Sequence, residues 1–126
     1  MSTERQIRDP YQELVHGLRW HVPARMNIAQ VCATRWAQDA RTSKSIAIIE
    51  DRAPAAARRY SYADLQTAAD AFSAVLARQG VRRGDCVGIV LPQRFETAVA
   101  YIAVLQMGAM AMPLSMLFGS DALAFR

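Results

Sequence analysis

The chain has 126 residues, room for one domain with a single modest core. With 52% hydrophobic and 21% charged residues it has the usage of an ordinary globular protein, which excludes disorder as its general state. The net charge of +4 does not make a nucleic-acid surface, because the basic residues are scattered: only Arg58-Arg59 and Arg82-Arg83 adjoin, and no basic stripe interleaves with aromatics.

The stretch 1–25 reads as an N-terminal arm lying on the body of the protein. Asp9-Pro10 can start a short helix through Tyr11, Leu14, Val15 and Leu18, weakened by Gly17, and Trp20-His21-Val22-Pro23 is extended because the residue before a proline avoids the helical region. No apolar leader follows the polar Met1-Ser2-Thr3-Glu4, which points to the cytoplasm. Asn27 then caps a helix, with Gln30 in a capping-box relation, whose apolar side is Ile28, Val31, Cys32 and Trp36. A hairpin follows, from a strand at 46–49, a turn holding Pro54 and a returning strand at Arg59-Tyr60.

Ser61 and Asp64 make a second capping signal, after which Leu65, Ala68, Ala69, Phe72, Val75 and Leu76 repeat at helical spacing. Asp64 near its start and Arg78 in its last turn suit the helix dipole, and Gly80 stands where a left-handed cap belongs. The segment 86–91 is a strand apolar on both faces, ended by Pro92. A helix from Phe95 to Met107 is stopped by Gly108, a strand occupies Met110 to Leu114, and Ser120 caps a last helix. Helix and strand alternating in this way indicate a parallel sheet covered on both faces, with a right-handed crossover. The uncharged run 98–118 is long enough to span a bilayer, but Gly108 and Pro113 divide it and its flanks lack aromatic and basic anchors, so it reads as a buried helix followed by a buried strand.

Local motifs carry no chemistry. The six glycines form no phosphate loop, and Lys44 lies outside any such context. His16 and His21 fall on different faces of a helix, which suits a surface and not a metal. Arg83-Gly84-Asp85 spells an adhesion tripeptide but sits where the backbone must turn. Cys32 and Cys86, far apart in apolar stretches, read as buried thiols in a reducing compartment, and Met107, Met110, Met112 and Met116 read as core filling.

Purpose enters with an ordered series of segments. Tyr60-Ser-Tyr-Ala-Asp-Leu65 resembles the "T-Y-x-E-L" entry of the acyl-adenylate-forming superfamily. The run from Gly80 through Gly84-Asp85 to Pro92 is similar to its "G-V-x-x-G-D-x-V-x-I-x-L-P" segment, and Gly108 to Pro113 to its "G-A-x-x-x-P-L" strand. Leu117 to Arg126 resembles the following loop and helix of acyl-CoA synthetases, and Asn27-Ile-Ala-Gln30 the "N-x-A" helix of acetyl- and medium-chain types. The resemblance covers nearly the whole chain and implies an α/β fold: the N-terminal part of an acyl-CoA-synthetase-like domain, parallel strands with covering helices plus a small N-terminal hairpin. It implies an arm at 1–25 and, at 26–126, an incomplete N-terminal subdomain of an AMP-binding domain.

The resemblance further implies an acid–CoA ligase of fatty acid metabolism that uses ATP, Mg and coenzyme A on a carboxylic acid. No residue of this chain matches the family's catalytic, cofactor-binding or metal positions, so none is assigned and none of those cofactors is expected to bind the chain tightly. Its scaffold positions are Gly84-Asp85, Pro92, Gly108 and Pro113. Expected partners are the remainder of its own chain and, through exposed apolar surface, further copies of itself, with no nucleic acid and no transmembrane segment. The chain is then a fragment inactive alone. The alternative is a non-catalytic self-associating or partner-binding module, and adenylation for peptide synthesis or a luciferase-like oxidation shares the scaffold.

Overall fold

The computed structural model describes residues 10–21 and 23–126; Asp9 and Val22, named above in the arm, lie outside them. Proline at the first helical position costs no hydrogen bond, and α1 (Pro10–Gly17) starts there. The side chains of Tyr11, Leu14, Val15, Leu18 and Trp20 are nevertheless exposed, so these apolar groups do not lay the arm on the body.

Asn27 caps the next helical segment as its position suggested: Oδ1 accepts from the N–H of Ala29 at 2.9 Å and of Gln30 at 3.3 Å. The segment widens into a π-turn at Gln30–Thr34 and continues as α2 (Arg35–Gln38). Trp36 answers the altered backbone, donating its indole N–H to the Val31 carbonyl at 3.0 Å. The apolar side expected for this helix is corrected. Ile28, Val31, Cys32 and Trp36 are exposed, and the inward face is Ala29 and Ala33, each at 0% exposure. Two methyl groups let the backbone approach α3 more closely than larger side chains would allow, and close packing rewards that approach.

β1 (Ile46–Arg52) and β2 (Ala55–Ser61) pair antiparallel as the expected hairpin, with a longer ladder and a tighter turn than the composition implied. Ser61 ends the hairpin and caps α3 (Tyr62–Arg78) with the full reciprocal box: its hydroxyl accepts from Asp64 N–H at 3.1 Å, and the Asp64 carboxylate accepts from Ser61 N–H at 2.8 Å. At the other end Gly80 takes φ +94°, with Gly80 N–H donating to Ala77 and Val81 N–H to Leu76, the two bonds of a Schellman cap.

β3 (Cys86–Ile89), α4 (Phe95–Gln106) and β4 (Met110–Pro113) form a βαβ unit, and α5 (Ser120–Phe125) follows. β3 and β4 pair in parallel, Cys86 against Met110 and Ile89 against Pro113. α4 is buried through Thr97, Val99, Ala100, Ile102, Ala103 and Val104. The core joins Ala29, Ala33, Leu65, Ala69, Val99, Ile102 and Ala103, with Phe72 packed against it.

Three expectations for this half are corrected. β3 stops at Ile89, leaving Val90 and Leu91 about two-fifths exposed. The sheet is not covered on both faces by described elements: side chains alternate across a strand, and Cys86, Gly88, Val90 and Met110 are all exposed on the face opposite Val87 and Ile89. Ser120 is the first residue of α5 and not its cap; Gly119 holds that place without a side-chain bond.

Hydrogen bonds from Ser61, first its side chain and then its backbone, hold the Asp64 carboxyl below its ordinary value. A depressed carboxylate pKa adds stability that is full above the unfolded value of about 4 and is lost as pH falls through the folded value. Ser61→Ala is expected to cost about 1 kcal/mol in urea unfolding at neutral pH. The stability gap between wild type and Asp64→Asn, measured the same way, should be largest at neutral pH and shrink below about pH 4.

Candidate functional site

Parallel strands end on the same side, and in open α/β sheets ligands gather beyond those carboxyl ends. Here the ends of β3 and β4 lead into the loops 90–94 and 114–119. Leu114 N–H extends the ladder to the Ile89 carbonyl at 2.9 Å. The Thr97 hydroxyl, in the first turn of α4, donates to the Pro92 carbonyl and ties the first loop to its helix. In the second loop Ser115 Oγ accepts from Leu117 N–H at 3.1 Å, while the Leu117 side chain stands 94% exposed. The Arg126 guanidinium lies 4.5 Å over the Phe118 ring. Pro113 ends β4, as expected of it, whereas Pro92 lies in the loop three residues beyond the end of β3. The region presents backbone, apolar groups and isolated charges.

The opposite end of the sheet is built from glycines. Gly84 has φ +90° and donates to the Gly108 carbonyl at 3.0 Å; Met110 N–H donates to Asp85 at 2.7 Å. Asp85 Oδ2 accepts from Arg82 N–H at 2.8 Å, the short-range bond that makes aspartate a turn residue. Gly108 has φ +74°, and a Cβ there would meet Arg83 Cγ at 3.1 Å. The Arg83-Gly84-Asp85 tripeptide therefore turns the chain and lays an arginine stem over Gly108.

The other residues singled out from sequence do not converge. His16 and His21 are exposed, and His16 bonds Gln12 within its own helix. Among the described residues no group of three or more His, Cys, Asp or Glu could hold a metal. Cys32 and Cys86 are exposed free thiols, correcting the reading of buried ones, since one lies on the outer helix face and the other opens an uncovered strand face. Met110 and Met116 are more than half exposed, which corrects core filling for both. No helix among the described residues is long and apolar enough to cross a membrane.

Sequence reasoning missed a polar cluster at the junction of α3 and α4. Gln66 Nε2 donates to Asp70 Oδ1 at 2.7 Å and to Gln106 Oε1 at 3.0 Å, and Gln106 Nε2 donates to Asp70 Oδ1 at 3.1 Å and to Ser73. The signal was available, since Gln106 is a polar interruption within the uncharged run 98–118. Glu50 is the other addition, a buried residue of β1 whose carboxylate accepts from Tyr60 OH at 3.2 Å, while Tyr60 stacks on Phe95.

A family model described as "AMP-binding enzyme" matches residues 35–126. The chain is 33% identical over 102 residues to the acetyl-coenzyme A synthetase of Rubrobacter xylanophilus, a match covering 81% of this chain and 15% of that protein. It spans between 15% and 17% of the length of the curated relatives it matches. The crystal structure of CmiS6 superposes with a TM-score of 0.68 at 23% identity, covering 86% of this chain and 26% of that one. The anthranilate CoA ligase AuaEII, in complex with anthranoyl-AMP, gives a TM-score of 0.71 at 17% identity over 82% of this chain and 19% of its own. The two structures share this chain's fold.

The left-handed backbone at Gly108 makes a side chain there costly. Gly108→Ala is expected to lower unfolding stability by about 1–2 kcal/mol. Gly119→Ala, where φ is −71° and a Cβ meets nothing within 4 Å, should change it little by the same urea measurement.

Proposed function

The chain belongs to the AMP-binding enzyme family, and we propose that it supplies the N-terminal scaffold of an AMP-forming acid–CoA ligase. In that reaction a carboxylate attacks the α-phosphate of Mg-ATP to give an acyl-adenylate and pyrophosphate, and the coenzyme A thiol then displaces AMP. The observation that carries the reading is the family match over residues 35–126. The curated relatives named acetyl-coenzyme A synthetase support a small carboxylic acid as the substrate class. The contribution of these residues is shape: the glycine turns at one end of β3 and β4 fix the pair, and the loops at the other end are held ready for the rest of the protein. ATP, magnesium, coenzyme A and the acid bind elsewhere in the complete ligase, in the cytoplasm, and this chain alone turns nothing over.

One observation favours a second role, a module that associates with copies of itself: the uncovered sheet face bearing Cys86, Val90 and Met110. In the ligase the remainder of the polypeptide covers that face. In the isolated chain it is free to meet another copy.

The purified 126-residue chain is expected to give no acetate-dependent ATP–pyrophosphate exchange, and exchange is expected once it is joined to the remaining polypeptide of its ligase. Exchange by the chain alone would place the chemistry here and overturn the reading. Sedimentation over a range of concentrations separates the second role, since a strictly monomeric species argues against it.

A further inference from the structure

Three sulfur-bearing side chains stand together on the face of the β3–β4 pair that no described element covers. Cys86 and Met110 are Cα partners in the parallel ladder, as are Gly88 and Met112. Paired residues of a ladder share a face and alternate residues return to it, so the Cys86 thiol and the Met110 and Met112 thioethers all lie opposite Val87 and Ile89. Cys86 is a free, exposed thiol, Met110 is 55% exposed and Met112 is half-buried.

A glycine completes the patch and leaves room within it. A Cβ at Gly88 would meet Met112 Cε at 3.8 Å and Leu114 Cδ1 at 3.5 Å. Met112 therefore lays the end of its side chain, beside the sulfur, across onto β3, the strand that carries Cys86. Cys86 is two residues along that strand from Gly88, about 6.6 Å at the usual rise, and its partner Met110 is about 4.8 Å away across the ladder. Methionine is unbranched with three rotatable bonds, so both thioethers are free to swing to one point beside the thiol.

The donor set selects its ligand. Thiolate and thioether are soft donors that favour copper(I), whereas carboxylate and carbonyl oxygens suit magnesium, calcium and manganese. Among the described residues no three His, Cys, Asp or Glu side chains gather to hold a metal, so the set is sulfur from one cysteine and two methionines. One thiolate and two neutral thioethers around a monovalent ion sum to zero charge. That suits a face shared with Val90 and Leu114, where a divalent ion would leave a net positive charge among apolar groups. We infer that Cys86, Met110 and Met112 form a three-sulfur site for copper(I). The ion forms one bond to the Cys86 thiolate and two dative bonds to the thioethers; the thiol proton leaves to solvent and no electron is transferred. The site belongs to the chain with this face open and does not rest on the ligase reading.

The test is an anaerobic copper(I) titration of the reduced 126-residue chain in dilute solution, in competition with bicinchoninate. The chain is expected to withdraw one copper per molecule. Cys86→Ser should weaken binding at least about a hundredfold, and Met110→Leu and Met112→Leu each about tenfold. Cys32→Ser, which removes the other exposed free thiol, should leave it unchanged, and equimolar zinc(II) should not displace the copper. Methionine to leucine nearly conserves volume, and the amide spectrum of each variant reports that the fold is kept. A second readout needs no variant: in the methyl-labelled methionine spectrum copper(I) should move the Cε resonances of Met110 and Met112 and leave that of Met116. Unchanged affinity in both methionine variants, still methyl resonances, two chains per copper, an equal loss in Cys32→Ser, displacement by zinc(II) or no copper withdrawn would each overturn the proposal.

Discussion

Helix α4 presents apolar or small side chains on nearly every face, and keeping them all from water is the constraint the other elements answer. A helix apolar all round is stable in water only when it is enclosed. On one side it meets Leu65 and Ala69 of α3 and the methyl face of Ala29 and Ala33; on another it underlies β3 and β4, where Ile89 is buried. Val104, at 0% exposure, is the largest side chain so completely enclosed among the described residues. The ends of the helix are pinned by polar groups. Thr97 bonds the Pro92 carbonyl at the start, and Asn27 reaches the Leu105 carbonyl at the finish.

Enclosing α4 uses the inner faces of α3, the 28–38 helical segment and one side of the β3–β4 pair, and leaves the other side of that pair uncovered. An uncovered apolar sheet face suits a chain that spans about a sixth of the length of relatives such as the acetyl-coenzyme A synthetase of Rubrobacter xylanophilus. The strand ends that such folds use for ligands are held in place and carry backbone, apolar groups such as Leu117 and isolated charges. Family membership speaks for the frame, because function in this architecture resides in residues added to it.

What could be read from the sequence was whatever is decided locally. The Ser61–Asp64 box, the left-handed cap at Gly80, the helix stop at Gly108 and the turn through Gly84 and Asp85 each depend on a few adjacent residues, and each is found in place. Periodicity also located the helices, but for the 28–38 segment it could not choose which face turns inward. The large residues Ile28, Val31 and Trp36 are the stronger hydrophobic signal, whereas close approach between helices favoured Ala29 and Ala33. The same limit applied to Cys32, Cys86 and Met110, whose exposure depends on which elements cover a face, a long-range fact.

Native-state hydrogen exchange followed residue by residue tests the central claim most directly, because protection reports which amides open only with the whole fold. Residues of α4, from Val99 to Val104, should be the slowest to exchange, with α3 next and α1 nearly unprotected. Protection of α4 no greater than that of the β1–β2 hairpin would contradict the view that this helix is what the rest of the structure is built to enclose.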